Sequence, residues 1–204
     1  MDGLIFLILE TLVIVIVSTV LHEIMHGVVA LWQGDHTARL SGRLSLNPLK
    51  HIDPWMSVAL PLILAVLGGP IFGGAKPVPI NPRNLKHGEW SMALVAIAGP
   101  LTNLVLAFVA YCAWCATGWS VLAHATMVNL GFATFNILPV PPLDGSRVLY
   151  ALAPNFVRDV MDKIERYGTT FVFVLVVVCG GLLSNYMYLV ENAILGLFEK
   201  IVGF

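Results

Sequence analysis

Residues 4–32 read LIFLILETLVIVIVSTVLHEIMHGVVALW, and the fold follows from how this stretch is read. A helix crosses the hydrocarbon core of a bilayer in about 20 predominantly apolar residues. This segment exceeds that length with Glu10 and Glu23 as its only acids and no Lys or Arg. It lacks a basic leading region and a small-x-small cleavage site, so it reads as a retained membrane span rather than a secretory signal. The rest of the composition agrees. Of 204 residues, 58% are hydrophobic and 11% charged, and mean hydropathy is +0.85. A soluble domain carries about a quarter charged residues, so this chain lacks the charge to coat a globule.

Further apolar runs cover Trp90–Ala116, Ser120–Leu138 and Thr169–Leu189. The run 55–72 is broken by Pro61 and by Gly68-Gly69-Pro70, which suits a re-entrant hairpin or a poor span. Between spans, Leu40, Gly42, Leu44 and Leu46 alternate with Arg39, Ser41, Arg43 and Ser45, a period of two that predicts a half-buried strand over 38–47. Residues 75–82, AKPVPINP, carry three prolines and predict an extended or edge-strand segment. Residues 144–167 are polar, and the tail 191–204 suits a short interfacial helix. The expected fold is an all-α polytopic membrane protein of about four to six membrane helices, with a short membrane-associated strand or extended segment near the active site. It forms one domain over 1–204, with a core over about 4–150 and C-terminal helices over about 151–204.

Net charge is −1, which gives no electrostatic footprint for nucleic acid. Cys112, Cys115 and Cys179 all lie in apolar runs, so no disulfide framework follows. Six of the eleven Lys and Arg residues lie in 34–90 and four in 139–167. Cytoplasmic loops carry the positive charge, so both segments are expected on the cytoplasmic side. That placement favours a re-entrant 55–72 over one that crosses.

His22-Glu23-Ile24-Met25-His26 is an HExxH motif. Positions i and i+4 lie on one helix face about 6 Å apart along the axis, so both imidazoles reach one tetrahedral zinc. Glu23 stands beside such a metal, where a base takes a proton from water. Composition alone yields on the order of 0.01 chance matches, and two histidines with a carboxylate are expensive in an apolar helix. The third ligand must come from elsewhere. Pro139, Pro141 and Pro142 end the helix before Asp144, and irregular backbone at membrane depth survives only in protein or beside water. Asp144 is therefore the candidate third ligand, with helix capping as the plainer alternative.

At this point the chain resembles the site-2 proteases, intramembrane zinc metalloproteases of the M50 type. The matching residues are HExxH at 22–26, AGPLTN at 98–103 and NILPVPPLDG at 136–145. NPLKHIDP at 47–54 and AKPVPINP at 75–82 add a likeness to the compact prokaryotic branch, with no room for PDZ or CBS domains. The resemblance implies that His22, His26 and Asp144 hold one Zn2+ per chain and that Glu23 is catalytic. It also implies hydrolysis of a peptide bond within or next to a transmembrane segment of a protein substrate. The cut would fall near the cytoplasmic face of a prokaryotic inner membrane.

Three further residues have open readings. Asn103, an amide amid leucines, either binds substrate or a developing oxyanion or makes an interhelical hydrogen bond that orders the bundle. Asn136, just before the proline break, positions substrate or loop, or only packs. His51 is either an accessory site residue or a loop histidine. The strand at 38–47 and the edge at 75–82 either pair with an unwound substrate or only cover the site. Two other function classes are kept: a membrane-anchored zincin acting on soluble or misfolded proteins, and a zinc-transporting or zinc-binding membrane protein without enzymatic activity.

Overall fold

The computed structural model describes residues 2–53 and 75–203. Run 55–72, expected to re-enter or span, lies outside the described residues. The described chain is mostly helical. The helices are α1 (Asp2–Trp32), the single turn α2 (Thr37–Leu40), α3 (Glu89–Thr117), α4 (Ser120–Asn136), α5 (Asp144–Leu152), α6 (Asn155–Glu165) and α7 (Gly168–Val202). Two 3₁₀ turns lie at Pro48–Lys50 and Pro82–Asn84.

Among the described residues, three helices are long and apolar enough to cross a membrane: α1, α3 and α7, with mean hydropathies of 2.4, 2.1 and 2.0. At 1.5 Å per residue the 17 residues of α4 reach about 25 Å, short of a full bilayer core. α3 is the hub, packing on α1, α4 and α5. The exterior is apolar, and polar groups join the apolar ones in the interior. Val178 and Leu182 on α7 are 74% and 75% exposed, whereas Ser18, Asn103, Thr126 and Asn129 are buried between helices. Apolar side chains outside and hydrogen-bonded polar ones inside are the arrangement a lipid solvent selects. The molecule is an integral membrane protein.

Two sequence expectations are corrected, and for the segment at 75–82 the edge-strand alternative is set aside while the extended one stands. No strand forms among the described residues. The alternation over 38–47 is not a pleat, because Leu40 and Leu46 are 84% and 72% exposed while Arg43 is buried. Its cause lies upstream. The Asp35 carboxylate accepts the Thr37 N–H and hydroxyl, which starts a helical turn. Gly42 then ends the turn at φ +64°, a conformation open to glycine. The proline-rich segment 75–81 is neither helix nor strand. The C-terminal tail is not a separate interfacial helix either. Residues 191–202 are the last turns of α7, which kinks earlier, at Cys179, just before Gly180 and Gly181, where helix propensity is weakest.

Two glycines let the elements close on the site. A side chain at Gly27 would run into Leu44, Ala38 and Val78, so the loops over 38–51 and 75–81 rest directly on α1. A Cβ at Gly145 would meet the backbone of Ile137 and Leu138, so α5 abuts the end of α4 where the prolines have ended it.

Candidate metal centre

His22 and His26 face inward from α1, and Asp144 opens α5. One ligand atom from each lies within 4.8 Å of the others. The Nε2 atoms of the two imidazoles are 3.0 Å apart. His22 Nε2 lies 3.1 Å from Asp144 Oδ2, and His26 Nε2 lies 3.5 Å from Oδ1.

The hydrogen bonds behind the rings decide which nitrogens carry protons. His26 Nδ1 lies 2.7 Å from the Val95 carbonyl, which can only accept, so Nδ1 is the donor and in the neutral ring Nε2 holds a lone pair. His22 Nδ1 lies 2.5 Å from Asn103 Oδ1. The orientation of Asn103 is set in turn: its Nδ2 donates to Asn129 Oδ1 at 3.0 Å, and Asn129 Nδ2 donates to the Ala125 carbonyl at 2.9 Å. This relay is anchored on a backbone acceptor, so Asn103 presents oxygen to His22 and the His22 Nε2 also holds a lone pair. Two lone pairs and a carboxylate thus point at one spot. Asp144 Oδ2 is buried with no hydrogen-bond partner among the described residues. Uncompensated, such a cluster is costly. A divalent cation resolves it, and two imidazoles with a carboxylate are the three-ligand set of a catalytic zinc site with its fourth position open.

Gly99 supplies the space. A Cβ there would stand 2.5 Å from both His22 Nε2 and His26 Nε2, within the volume on which the ligands converge. The next residue, Pro100, sits inside α3 and has no N–H for the helix ladder. The break falls one residue on from the Val95 carbonyl that takes His26.

Beside the ligands lies a cavity of about 280 Å³, lined by Glu23, His26, Pro77, Val78, Ile80, Met92, Val95, Ala96, Pro142, Asp144 and Arg147. Glu23 faces this cavity, and its Oε2 accepts the Val78 N–H at 2.9 Å. The segment carrying Val78 is held from both ends. The Arg43 guanidinium donates to the carbonyls of Lys76 and Pro77, and the Lys76 N–H donates to the His51 carbonyl at 2.8 Å. At the other end Asp35 Oδ2 accepts the Asn81 N–H at 2.7 Å and Oδ1 accepts from Asn84 Nδ2 at 2.9 Å.

The structure therefore brings His22, Glu23, His26 and Asp144 together. It places the other three candidates elsewhere. Asn103 is fully buried, behind His22 rather than on the cavity wall. Asn136 Nδ2 donates to the Phe132 carbonyl in its own helix at 3.0 Å. His51 is buried with Nε2 against the Ser45 carbonyl at 2.8 Å. Neither Asn136 nor His51 lines the cavity. Asp35, Asn129 and Arg147 were not singled out from sequence. For Asn129 a signal existed, an amide within the apolar run 120–138. Asp35 follows Gly34 at a helix end and reads there as an ordinary turn residue.

Asp35 gives a prediction that does not depend on the reaction. Burial by itself would raise its carboxyl, but hydrogen bonds from Thr37, Asn81 and Asn84 outweigh it and hold the group below the ordinary carboxylate range. A folded-state value below the unfolded one means the stabilisation is present above the unfolded value near about 3.9 and is lost as pH falls through the folded one. Asp35→Ala removes the acceptor for four donors and is expected to cost about 3 kcal/mol. Thermal unfolding in detergent at neutral pH checks this, and the gap between mutant and parent should narrow only below about pH 4.

A membrane-embedded bundle that holds a two-histidine, one-carboxylate ligand set beside a glutamate that is not part of that set is the class of molecule this geometry defines. Comparison with known proteins agrees. The model of peptidase family M50 matches residues 10–119 and 113–179. The chain is 39% identical to "Putative zinc metalloprotease YwhC" of Bacillus subtilis over 91% of this chain and 89% of that protein. It is 31% identical to "Putative zinc metalloprotease Rip2" of Mycolicibacterium smegmatis over 79% of this chain and 64% of that protein. To "Putative zinc metalloprotease MJ0611" of Methanocaldococcus jannaschii it is 42% identical over a shorter stretch, 27% of this chain and 31% of that protein. No solved structure matches the chain. The chain belongs to peptidase family M50.

Proposed function

We propose that this chain is a zinc-dependent intramembrane endopeptidase that hydrolyses a peptide bond within or beside a transmembrane segment of another membrane protein. The observation that carries the reading is the convergence of His22 Nε2, His26 Nε2 and a buried, otherwise unbonded Asp144 oxygen at a cavity shared with Glu23. His22, His26 and Asp144 would hold the zinc, which supplies Lewis acidity toward the scissile carbonyl and makes a neighbouring water a stronger acid. Glu23 takes a proton from the attacking water on a carboxylate oxygen and later delivers it to the departing amide nitrogen. Its Oε2 is steadied by the Val78 N–H, which leaves Oε1 for the water. Asn103 and Asn129 keep the His22 ring in the tautomer that presents Nε2.

Placement in the membrane supports the choice of substrate. His22 and His26 lie inside α1, a helix apolar enough to span, so a bond reaching them must itself enter the membrane. A helical substrate has to unwind there, and its freed N–H and C=O groups need partners. Ten of the eleven Lys and Arg residues flank the site in 34–90 and 139–167, which supports a cytoplasmic-facing centre in a prokaryotic inner membrane. The test is reconstitution of the zinc-loaded protein in proteoliposomes with a set of single-span membrane proteins, followed by mass spectrometry of the fragments. Fragment ends within or next to the span are expected. Fragments confined to soluble loops would instead favour an anchored zincin, and zinc flux without any fragment would favour a transporter.

A further inference from the structure

The cavity beside the ligands contains a cationic side chain that the reaction described above does not use. Arg147 lies three residues after Asp144 on α5, on the same helix face, and lines the same cavity as Glu23 and His26. One of its terminal nitrogens donates to Glu165 Oε1 on α6, and its guanidinium carbon lies 5.9 Å from the Tyr150 ring centre. A guanidinium has five N–H groups in a rigid fork, so the Glu165 contact orients the fork and leaves donors over.

Peptide hydrolysis places negative charge on the carbonyl oxygen as water adds, and that oxygen needs a hydrogen-bond donor fixed in advance. The two amides singled out from sequence, Asn103 for a developing oxyanion and Asn136 for positioning substrate, are turned away: Asn103 serves His22, and Asn136 bonds to its own helix. Among the described residues whose side chains line the cavity, only His26 and Arg147 carry side-chain N–H donors. The His26 Nδ1–H is held by the Val95 carbonyl, and the Val78 backbone N–H is held by Glu23.

We propose that Arg147, oriented by Glu165, is the side chain that hydrogen-bonds the scissile carbonyl oxygen as it becomes negative. The proposal rests on the peptidase reading. In the step it assists, the water oxygen bonds to the carbonyl carbon, the water proton passes to Glu23, and the carbon–nitrogen bond breaks as that proton reaches the leaving nitrogen. Arg147 donates a hydrogen bond throughout and transfers no proton.

The test needs no natural substrate. Zinc-loaded wild type and Arg147→Ala in detergent are titrated with an N-phosphoryl dipeptide, whose tetrahedral anion mimics the charged carbonyl. Both are also titrated with acetohydroxamate, which chelates the metal alone. At equal zinc content, Arg147→Ala is expected to bind the phosphoryl probe about 10- to 100-fold more weakly and acetohydroxamate unchanged. Arg147→Lys should recover part of the loss, since it keeps the charge but not the fork. On any peptide that the wild type cleaves, the alanine variant should lose kcat by about 100-fold with a smaller change in KM. Equal binding of both probes by wild type and Arg147→Ala would overturn the assignment and leave the carbonyl to backbone groups. If neither probe bound the zinc-loaded wild type, the peptidase reading itself would fall.

Discussion

Glu23→Gln is expected to keep its full complement of zinc and to lose peptide hydrolysis by about 1,000-fold. The substitution isolates basicity, because glutamine has the same reach and its Oε1 can still accept the Val78 N–H now held at 2.9 Å. What it cannot do is take the water proton. No other carboxylate among the described residues lines the cavity except Asp144, which is committed to the ligand cluster. Zinc per chain and product formation in proteoliposomes, measured on one preparation, separate loss of the base from loss of the metal. Hydrolysis within about tenfold of wild type would place the base on another residue.

The second large effect is expected at a residue with no side chain. In Gly99→Ala the new Cβ stands 2.5 Å from both ligating nitrogens, in the space a cation would share. The helix cannot back away cheaply. α3 is tied to α1 one turn before this point by Val95 with His26, and one turn after it by Asn103 with His22, and a packed interior transmits such a shift rather than absorbing it. Overpacking of this kind costs about 1–3 kcal/mol, so the bundle should still fold while most of the zinc is lost. Gly131→Ala is the matched control. A Cβ there meets only the side-chain ends of Glu191 and Met187, each at 3.9 Å, and zinc content should not change. Metal analysis and thermal unfolding on the two variants check both statements, and a fully metallated Gly99→Ala would show that the ligands converge elsewhere.

Much of this was legible in the sequence, and the reasons differ by residue. Long apolar helices read directly, because lipid imposes length and composition together: α1, α3 and α4 begin and end within about two residues of their sequence limits. HExxH reads directly too, because helix geometry alone puts His22 and His26 on one face. Asp144 followed from the proline break, since a carboxylate where a helix stops at membrane depth needs a polar partner. The strand over 38–47 was misread because its alternation is real, but Asp35 starts a turn through Thr37, and Arg43 is drawn inward by carbonyls 33 and 34 residues away. Such long-range contacts leave no local period. Asn103 was legible as an anomaly and not as a role, since its partner lies 81 residues away on α1. Gly99 carried no local signal beyond its place in AGPLTN, because what it spares is the volume between two imidazoles on another helix.

On the proposed reading, α1 and α5 share one metal through His22, His26 and Asp144. That reading is tested most directly by zinc per chain in detergent-purified wild type and in Asp144→Ala, which requires no substrate. One zinc in the wild type and a large loss in the folded mutant is the predicted result. Stoichiometric zinc that does not respond to Asp144→Ala, or no zinc in folded wild type never exposed to chelator, would contradict it.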